Sequence, residues 1–333
     1  MATASALPIR ATGGETAGRA ARVEPAHRGA RARQFRAMHQ SPNILVLANA
    51  WDVGSAALLA GLPGIRAVAT TSAGVAATQG LPDGEQLSLD HVLALVEQIC
   101  RAVDVPVSVD LEAGYGRSTA EVADSVASMI EVGAAGVNLE DGDPEREDRL
   151  LTADAHAERI AAARTAARQL DVPIVVNART DVFWRGIGVP DGRFAETARR
   201  LRLYALAGAD CVFVPGFPGS GVDPAQQRLM IGELVDHLGD VPLNLLAAST
   251  LLSVAELRAL NVRRLSVGSA LYRLGMAAVR DAMDELLSTG RQESLARAES
   301  LSYAELAQSL AAGSMGSAER ADRADRAGSN HEG

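Results

Sequence analysis

Short apolar runs alternate with longer amphipathic stretches along the middle of the chain. The runs VPVSVD at 105–110 and VPIVVN at 172–177 are apolar at most positions, which is typical of buried parallel strands. Between such runs lie segments with apolar residues at helical spacing, such as SLDHVLALVEQICRAV at 88–103. About eight strand–helix units fit into roughly 255 residues, the size of a closed (β/α)8 barrel. The pattern therefore predicts an α/β fold, a TIM-type (β/α)8 barrel.

An open, doubly wound sheet is the alternative architecture for this rhythm. It is disfavoured because no Gly-x-Gly-x-x-Gly fingerprint follows the first strand, NILVLANAWD at 43–52. The segment IRAVATTSAGVAAT at 65–78 predicts the second strand, ending in small hydroxylated residues.

Both ends of the chain lack the alternating pattern. Residues 1–34 are rich in Ala, Arg and Gly, and residues 313–333 alternate charges with little to bury. We expect two disordered tails around a single unit at 35–312, a barrel with C-terminal helices. The segment SLARAESLSYAELAQSLA at 294–311 predicts a terminal helix whose apolar stripe needs a partner.

Composition narrows the function classes. The net charge is −9, with no basic stripe interleaved with aromatics, so a nucleic-acid partner is disfavoured. No apolar run reaches membrane-spanning length, and we expect no membrane partner. Cys100 and Cys211 lack motif spacing and lie in apolar surroundings, which favours reduced thiols in a cytoplasmic protein. His156, among acids and alanines, is expected at the solvated surface.

Polar and acidic residues follow the predicted strands at their carboxyl ends, where a barrel carries its active site. Several carboxylates with few cations indicate a site for a hard cation, Mg²⁺ or Mn²⁺. Arg179 offers a planar fork suited to a substrate carboxylate. The strand-end residues are Thr71, Ser72 and Ala73 with the loop to Asp83; Asp110 and Glu112; Glu140 and Asp141; Asn177, Arg179 and Asp181; and Asn244 on the seventh strand.

Four motifs in order carry a family resemblance: TTSAGVAATQGLPDGE at 70–85, VPVSVDLEAGYG at 105–116, GVNLED at 136–141 and VNARTD at 176–181. They resemble the isocitrate lyase/phosphoenolpyruvate mutase superfamily over most of residues 40–285. The resemblance implies a (β/α)8 barrel whose eighth helix is swapped with a neighbouring subunit, in a dimer or homotetramer. It also implies Mg²⁺ and a small 2-oxo or 2-hydroxy carboxylate as substrate. Family members make or break a C–C or P–C bond through an enolate-like pyruvyl fragment.

The same resemblance implies roles for individual residues. Catalytic roles fall to Asp83, beside the metal and the reacting centre, and to Arg179, which would contact the substrate's oxygens. The substrate-binding positions are Thr71, Ser72, Ala73, Arg179 and Asn244. The metal-centre positions, which would act partly through water, are Asp110, Glu112 and Glu140.

The loop at 141–152 departs from the family pattern. It lacks the cysteine that serves the isocitrate and methylisocitrate lyases as general acid, and the lysine and asparagine with which the phosphomutases hold a phosphonyl group. Glu112 also replaces the more usual aspartate. The chain is expected to be a lyase or phosphonomutase. The alternatives are a hydrolase that cleaves an oxaloacetate-like C–C bond on the same scaffold, and a catalytically silent barrel.

Overall fold

Eight parallel strands close into a barrel in their order along the chain, in a computed structural model that describes residues 25–146 and 148–314. Every neighbouring pair is parallel, including the closure between the first and last strands. The predicted (β/α)8 barrel is confirmed. The strands are β1 Leu45–Ala50, β2 Val68–Thr70, β3 Val107–Asp110, β4 Gly136–Glu140, β5 Val175–Arg179, β6 Cys211–Val214, β7 Leu243–Leu246 and β8 Arg264–Ser266.

Helices surround the barrel and connect its strands. Ser88 and Ser118 cap the helices that follow them, as their sequence positions indicate. The helices are α1 Pro25–His39, α2 Val53–Ala60, α3 Ser72–Thr78, α4 Leu89–Ala102, α5 Thr119–Val132, α6 Ala153–Gln169, α7 Arg193–Leu206, α8 Pro224–Leu238, α9 Val254–Ala259, α10 Ala270–Thr289, α11 Ala296–Glu299 and α12 Tyr303–Ser314. Two 3-10 turns lie at Pro190–Gly192 and Glu293–Leu295.

Two sequence predictions need correction. The second strand is short, because the chain turns into helix α3 at Ser72 rather than staying extended to residue 78. The predicted N-terminal tail is too long, because residues 25–34 belong to α1. Ala32, Phe35 and Met38 of α1 are buried, and Phe35 packs with residues from the amino-terminal ends of the strands. Burial of this face stabilises a segment whose Ala- and Arg-rich composition suggested disorder. The rest of the predicted tails, 1–24 and 315–333, lies outside the described residues.

The C-terminal helices differ from the barrel helices in their packing. Helix α12 lies against α2 and α4. Helix α10, the eighth helix of the barrel repeat, has no buried residue and contacts mainly the turn at 293–295. Its apolar side chains, including Leu274, Val279 and Leu287, are exposed. In the part of the chain that the structure describes, no helix combines the length and apolarity needed to cross a membrane.

Candidate active site

A pocket opens at the carboxyl ends of the strands and continues down into the barrel. Six residues predicted for the site line it together: Thr71, Ser72, Ala73, Asp83, Asp110 and Arg179. They come from the start of α3, which directly follows β2, from β3, from β5 and from the loop after α3, which the closed barrel brings to one mouth. The remaining predicted residues, Glu112, Glu140 and Asn244, do not line this pocket.

Asp110 lies at the end of β3 and is held from two sides. Its Oδ2 accepts hydrogen bonds from the backbone N–H of Ser72 at 3.1 Å and from the Ser72 hydroxyl at 2.8 Å. Its Oδ1 accepts one from Asn138 Nδ2 at 2.9 Å, and Asn138 in turn accepts one from Asn177. No arginine or lysine forms a salt bridge with Asp110 among the described residues. The carboxylate is thus oriented in the pocket without a neutralising cation.

Glu112 faces away from the pocket and fastens the loop that carries Asp83. Its Oε2 accepts from the backbone N–H groups of Gly84 at 3.0 Å and Glu85 at 2.7 Å, and its Oε1 accepts from the Tyr115 hydroxyl at 2.9 Å. Glu112 has φ +50°, a left-handed conformation that is uncommon for a residue with a side chain. The side chain of glutamate, one methylene longer than that of aspartate, therefore allows the carboxylate to reach the 83–85 loop.

The neighbouring acids raise one another's proton affinity. Burial, and then the charges of Asp110 and Asp83, raise the pKa of Glu112 to about 7. Asp83 lies on an exposed loop, yet its carboxylate lines the pocket. There, desolvation and the charge of Asp110 raise the pKa of Asp83 above its ordinary value. Clusters of acids with perturbed pKa values are characteristic of functional sites.

Arg179, predicted to contact the substrate, is already bound to two acids. Its Nε and Nη2 donate to Asp181 at 2.6 and 3.0 Å, and its Nη1 lies 2.8 Å from Glu140. Burial opposes the charge on Arg179, but Asp181 and Glu140 offset it, so that the pKa of Arg179 rises. A guanidinium has five N–H donors, and these contacts use three. Two donors therefore remain on a side chain that lines the pocket.

The loop at 141–152 is attached to this ion-pair group by Arg185. The Arg185 guanidinium lies 3.5 Å from Glu140, donates to Asp181 at 3.2 Å, and approaches the carbonyls of Asp143, Arg146 and Arg149 at 3.4 Å. The loop closes on itself through a bridge between Gly142 and Leu150. Arg185 therefore anchors the loop to the ion-pair group, although the loop lacks the cysteine, lysine and asparagine expected from the family resemblance.

Asn244 does not reach the pocket, and its prediction as a substrate-binding residue needs correction. It is fully buried on β7, where its Nδ2 donates to Ser266 Oγ at 3.0 Å. Ser266 and Arg264, which are alternate residues on β8, do line the pocket and were not predicted. The available signal was the alternation of polar residues on β8, which places Arg264 and Ser266 on one face of the strand. Other lining residues that the sequence did not reveal are Asn49, Ser108, Trp184 and Phe213.

The donor chemistry of the pocket fits a hard cation that retains water. Among the described residues no three His, Cys, Asp or Glu side chains stand close enough to hold a metal by themselves. Mg²⁺ is commonly held by one or two carboxylates, several waters and substrate oxygens. Asp110 supplies such a carboxylate at the pocket wall, with Asp83 close enough to influence it electrostatically. Glu112 and Glu140 already use their oxygens on other donors and do not line the pocket.

Comparisons with known proteins show what the chain is similar to. The family model of phosphoenolpyruvate phosphomutase matches residues 35–287. An uncharacterized protein of Mycobacterium tuberculosis is 36% identical over 273 residues, 82% of this chain and 94% of the relative. The 2-methylisocitrate lyase of Bacillus subtilis is 31% identical over 186 residues, 54% of this chain and 58% of that enzyme. A crystal structure from Burkholderia cenocepacia superposes with a TM-score of 0.76 and 34% identity, covering 86% of this chain and 98% of its own.

An acid-lined pocket at the carboxyl ends of a closed (β/α)8 barrel defines a class of small-molecule enzyme sites. Since the phosphoenolpyruvate phosphomutase model spans most of the barrel, the chain belongs to that family, within the isocitrate lyase/phosphoenolpyruvate mutase superfamily. The resemblance stated from the four sequence motifs is confirmed.

Proposed function

We propose that the protein is a Mg²⁺-dependent lyase or phosphonomutase that acts on a small 2-oxo or 2-hydroxy carboxylate. It would make or break a C–C or P–C bond next to a pyruvyl unit that passes through an enolate-like form. The observation that carries this proposal is the shared pocket of Asp83, Asp110, Ser72 and Arg179. Membership of a family of lyases and mutases supports the same reaction class.

Asp110 would hold the metal, with Glu112 and Glu140 contributing through water. When bound, Mg²⁺ (or Mn²⁺) supplies electrostatic stabilisation for negative charge that develops on a substrate oxygen. Ser72 keeps Asp110 oriented, because both its N–H and its hydroxyl donate to the same carboxylate oxygen. Thr71 and Ala73 line the pocket beside it and would contact the substrate carboxylate.

Asp83 and Arg179 are the proposed catalytic residues. Asp83 lines the pocket on a loop that Glu112 holds, and its carboxyl, whose pKa is raised, would carry a proton to or from the substrate. Arg179 is held rigidly by Asp181 and Glu140 and would direct its remaining donors at the substrate's oxygens. Preorganised charges of this kind need no rearrangement during the reaction.

Titration calorimetry tests the proposal directly. We expect oxalate, a mimic of enolpyruvate, to bind the full chain only when Mg²⁺ is present. The matched control is Asp110→Asn, which keeps the shape of the side chain and should abolish the oxalate binding that requires Mg²⁺. Absence of Mg²⁺-dependent oxalate binding to the wild type would instead support the catalytically silent barrel.

A product screen then separates the reactions. Methylisocitrate, oxaloacetate and phosphonopyruvate should be incubated with enzyme and Mg²⁺ and their products identified. Water-dependent cleavage of oxaloacetate would identify the hydrolase alternative, which the missing cysteine of the 141–152 loop leaves open.

The proposed enzyme works as a dimer or tetramer in which α10 packs on a second copy of the chain. Helix α10 exposes an apolar face and buries none of its residues within its own chain. An exposed apolar surface of this kind marks an interaction site. Replacing Leu274, Val279 and Leu287 together by Gln should shift the mass measured by light scattering towards the monomer, and an unchanged mass would contradict this assembly.

A further inference from the structure

Arg264 lies at the floor of the pocket, deep inside the barrel. It belongs to β8, is 3% exposed, and lines the same pocket as Asp110 and Ser72. Phe35 of α1 lies beneath it, with the guanidinium carbon 5.9 Å from the centre of the ring. The pocket thus runs from an acidic rim to a cationic floor.

The guanidinium of Arg264 has few protein partners. Its Nε donates to Ser266 Oγ at 3.1 Å, and Asn244 holds that serine from the other side. Its Nη1 is buried and has no hydrogen-bond partner. Among the described residues no carboxylate lies within salt-bridge distance of it.

Other buried arginines of the barrel have protein partners for their guanidinium groups. Arg159 donates to the carbonyls of Ala113 and Arg117. Arg179 binds Asp181 and Glu140, and Arg200 binds Asp141 and Glu196. Leaving a buried charge without a counter-ion costs several kcal/mol in real proteins. Burial lowers the pKa of Arg264 to about 10, so the side chain is still cationic at neutral pH. The contact with the Phe35 ring offsets part of this cost. Among the described residues the guanidinium makes a hydrogen bond only through Nε, so its two Nη groups lack protein partners on a side chain that lines the pocket.

We propose that Arg264 is a specificity-determining residue that binds a second acidic group of the substrate, a carboxylate or a phosphonate, at the floor of the pocket. This inference rests on the proposed function, in which the 2-oxo or 2-hydroxy carboxylate end lies at the rim. In the proposed function the metal and Arg179 would hold that end at the rim, whereas Arg264 offers a second positive charge at the floor, so the two ends of a dianionic substrate have different places. Neutral donors on the walls, Ser108 and Asn138, separate the two.

Three ligands test this preference in the presence of Mg²⁺. Malate and 2-hydroxybutyrate have the same chain length, but only malate carries a second carboxylate, and 2-hydroxy-3-phosphonopropanoate carries a phosphonate instead. We expect the wild type to bind malate or the phosphonate at least about tenfold more tightly than 2-hydroxybutyrate, as a buried charge-assisted hydrogen bond would give. Which of the two dianions binds better identifies the acidic group.

Arg264→Met should reduce this ratio to about one while the affinity for 2-hydroxybutyrate changes less than about twofold. The matched control is Arg263→Met, since Arg263 is adjacent on the strand and donates to the Ser41 carbonyl instead. This control should keep the wild-type ratio. If Arg264→Met does not fold, Arg264→Gln takes its place, because it removes the charge but keeps a donor for Ser266, and it should also bring the ratio to about one.

The failures are distinguishable. A wild type that binds 2-hydroxybutyrate and both dianions equally overturns the role of Arg264 and leaves the proposed function intact. A ratio that survives in Arg264→Met also overturns it and assigns Arg264 a structural role. A wild type that binds none of the three ligands with Mg²⁺ overturns the proposed function together with this inference.

Discussion

Glu140 and Asp141 are adjacent in the chain and end the same strand, yet they belong to two different clusters. Glu140 faces the pocket side, where it pairs with Arg179 at 2.8 Å. Asp141 is fully buried on the opposite side, between the barrel and its helices. The inner cluster comprises Asp83, Asp110, Glu112 and Glu140, and the outer cluster comprises Asp141, His156, Thr180, Arg200 and Tyr204.

The two clusters differ in how completely their charge is compensated. Asp141 accepts from the Thr180 hydroxyl at 2.7 Å, the Asp181 N–H at 2.9 Å, Arg200 at 2.8 Å and the Tyr204 hydroxyl at 2.7 Å. In the inner cluster the acids crowd one another and raise each other's pKa. Asp141, with its full set of donors, stabilises the fold, whereas Asp110 of the inner cluster has no salt-bridge partner among the described residues, which is typical of a site that binds a ligand.

Asp110→Asn gives the largest expected effect and separates the clusters most sharply. We expect a loss of roughly 10³-fold in kcat, the upper range for removing one preorganised electrostatic group. Stability in the absence of metal should stay equal or rise, because one charge leaves a crowded group. Steady-state kinetics and urea unfolding measure the two quantities. Wild-type turnover in this variant would remove Asp110 from the site.

Asp141→Asn should have the opposite effect: it should lower stability and leave ligand binding almost unchanged. It removes the buried one of the two carboxylate partners of Arg200, which should lower the free energy of unfolding by about 3–5 kcal/mol. Oxalate affinity with Mg²⁺ should change less than about twofold at temperatures where the variant is folded. The control is Glu196→Gln, which removes the half-exposed partner of Arg200 and should cost less than about 1 kcal/mol. Equal losses of unfolding free energy in Asp141→Asn and Glu196→Gln would contradict the structural role of the outer cluster.

Acid should weaken the outer cluster through His156. This residue was expected at the surface, but it is fully buried and packs edge-on against Tyr204 at 4.7 Å between ring centres. Burial, and then the charges of Arg159 and Arg200, lower the pKa of His156 to about 3, with Asp181 opposing. The unfolded chain takes up this proton below about pH 6.5 while the folded chain does not, so stability falls as the pH falls towards 3.

Between pH 7 and pH 4.5 this residue alone should cost about 2–3 kcal/mol of unfolding free energy. In His156→Phe, the loss of unfolding free energy between pH 7 and pH 4.5 should be smaller than in the wild type by that amount. Urea unfolding at both pH values measures the loss for each variant. His91→Phe, at an exposed position, should lose as much as the wild type. An unchanged loss in His156→Phe would show that the folded state accepts the proton.

Much of the site could be predicted from strand ends and motifs. Thr71, Ser72, Ala73, Asp83, Asp110 and Arg179 meet in one pocket as expected. Glu112 and Glu140 lie directly behind it, although the sequence could not show that one fastens a loop and the other pairs with arginines. Asn244 was predicted to bind substrate as the polar residue of the seventh strand, yet its depth in the barrel depends on strand register, which is a property of the closed sheet.

Hydrophobic periodicity and the residues at the strand ends determined the barrel, its order of strands and the family, since these depend on neighbours close in the chain. Burial of Phe35 on α1, the outward position of Asp141 and the unpaired guanidinium of Arg264 were decided only in three dimensions. Each depends on which face of an element meets which distant residue. The sequence determines which side chains are charged. Whether such a charge is compensated depends on partners that only the folded barrel brings within hydrogen-bonding distance.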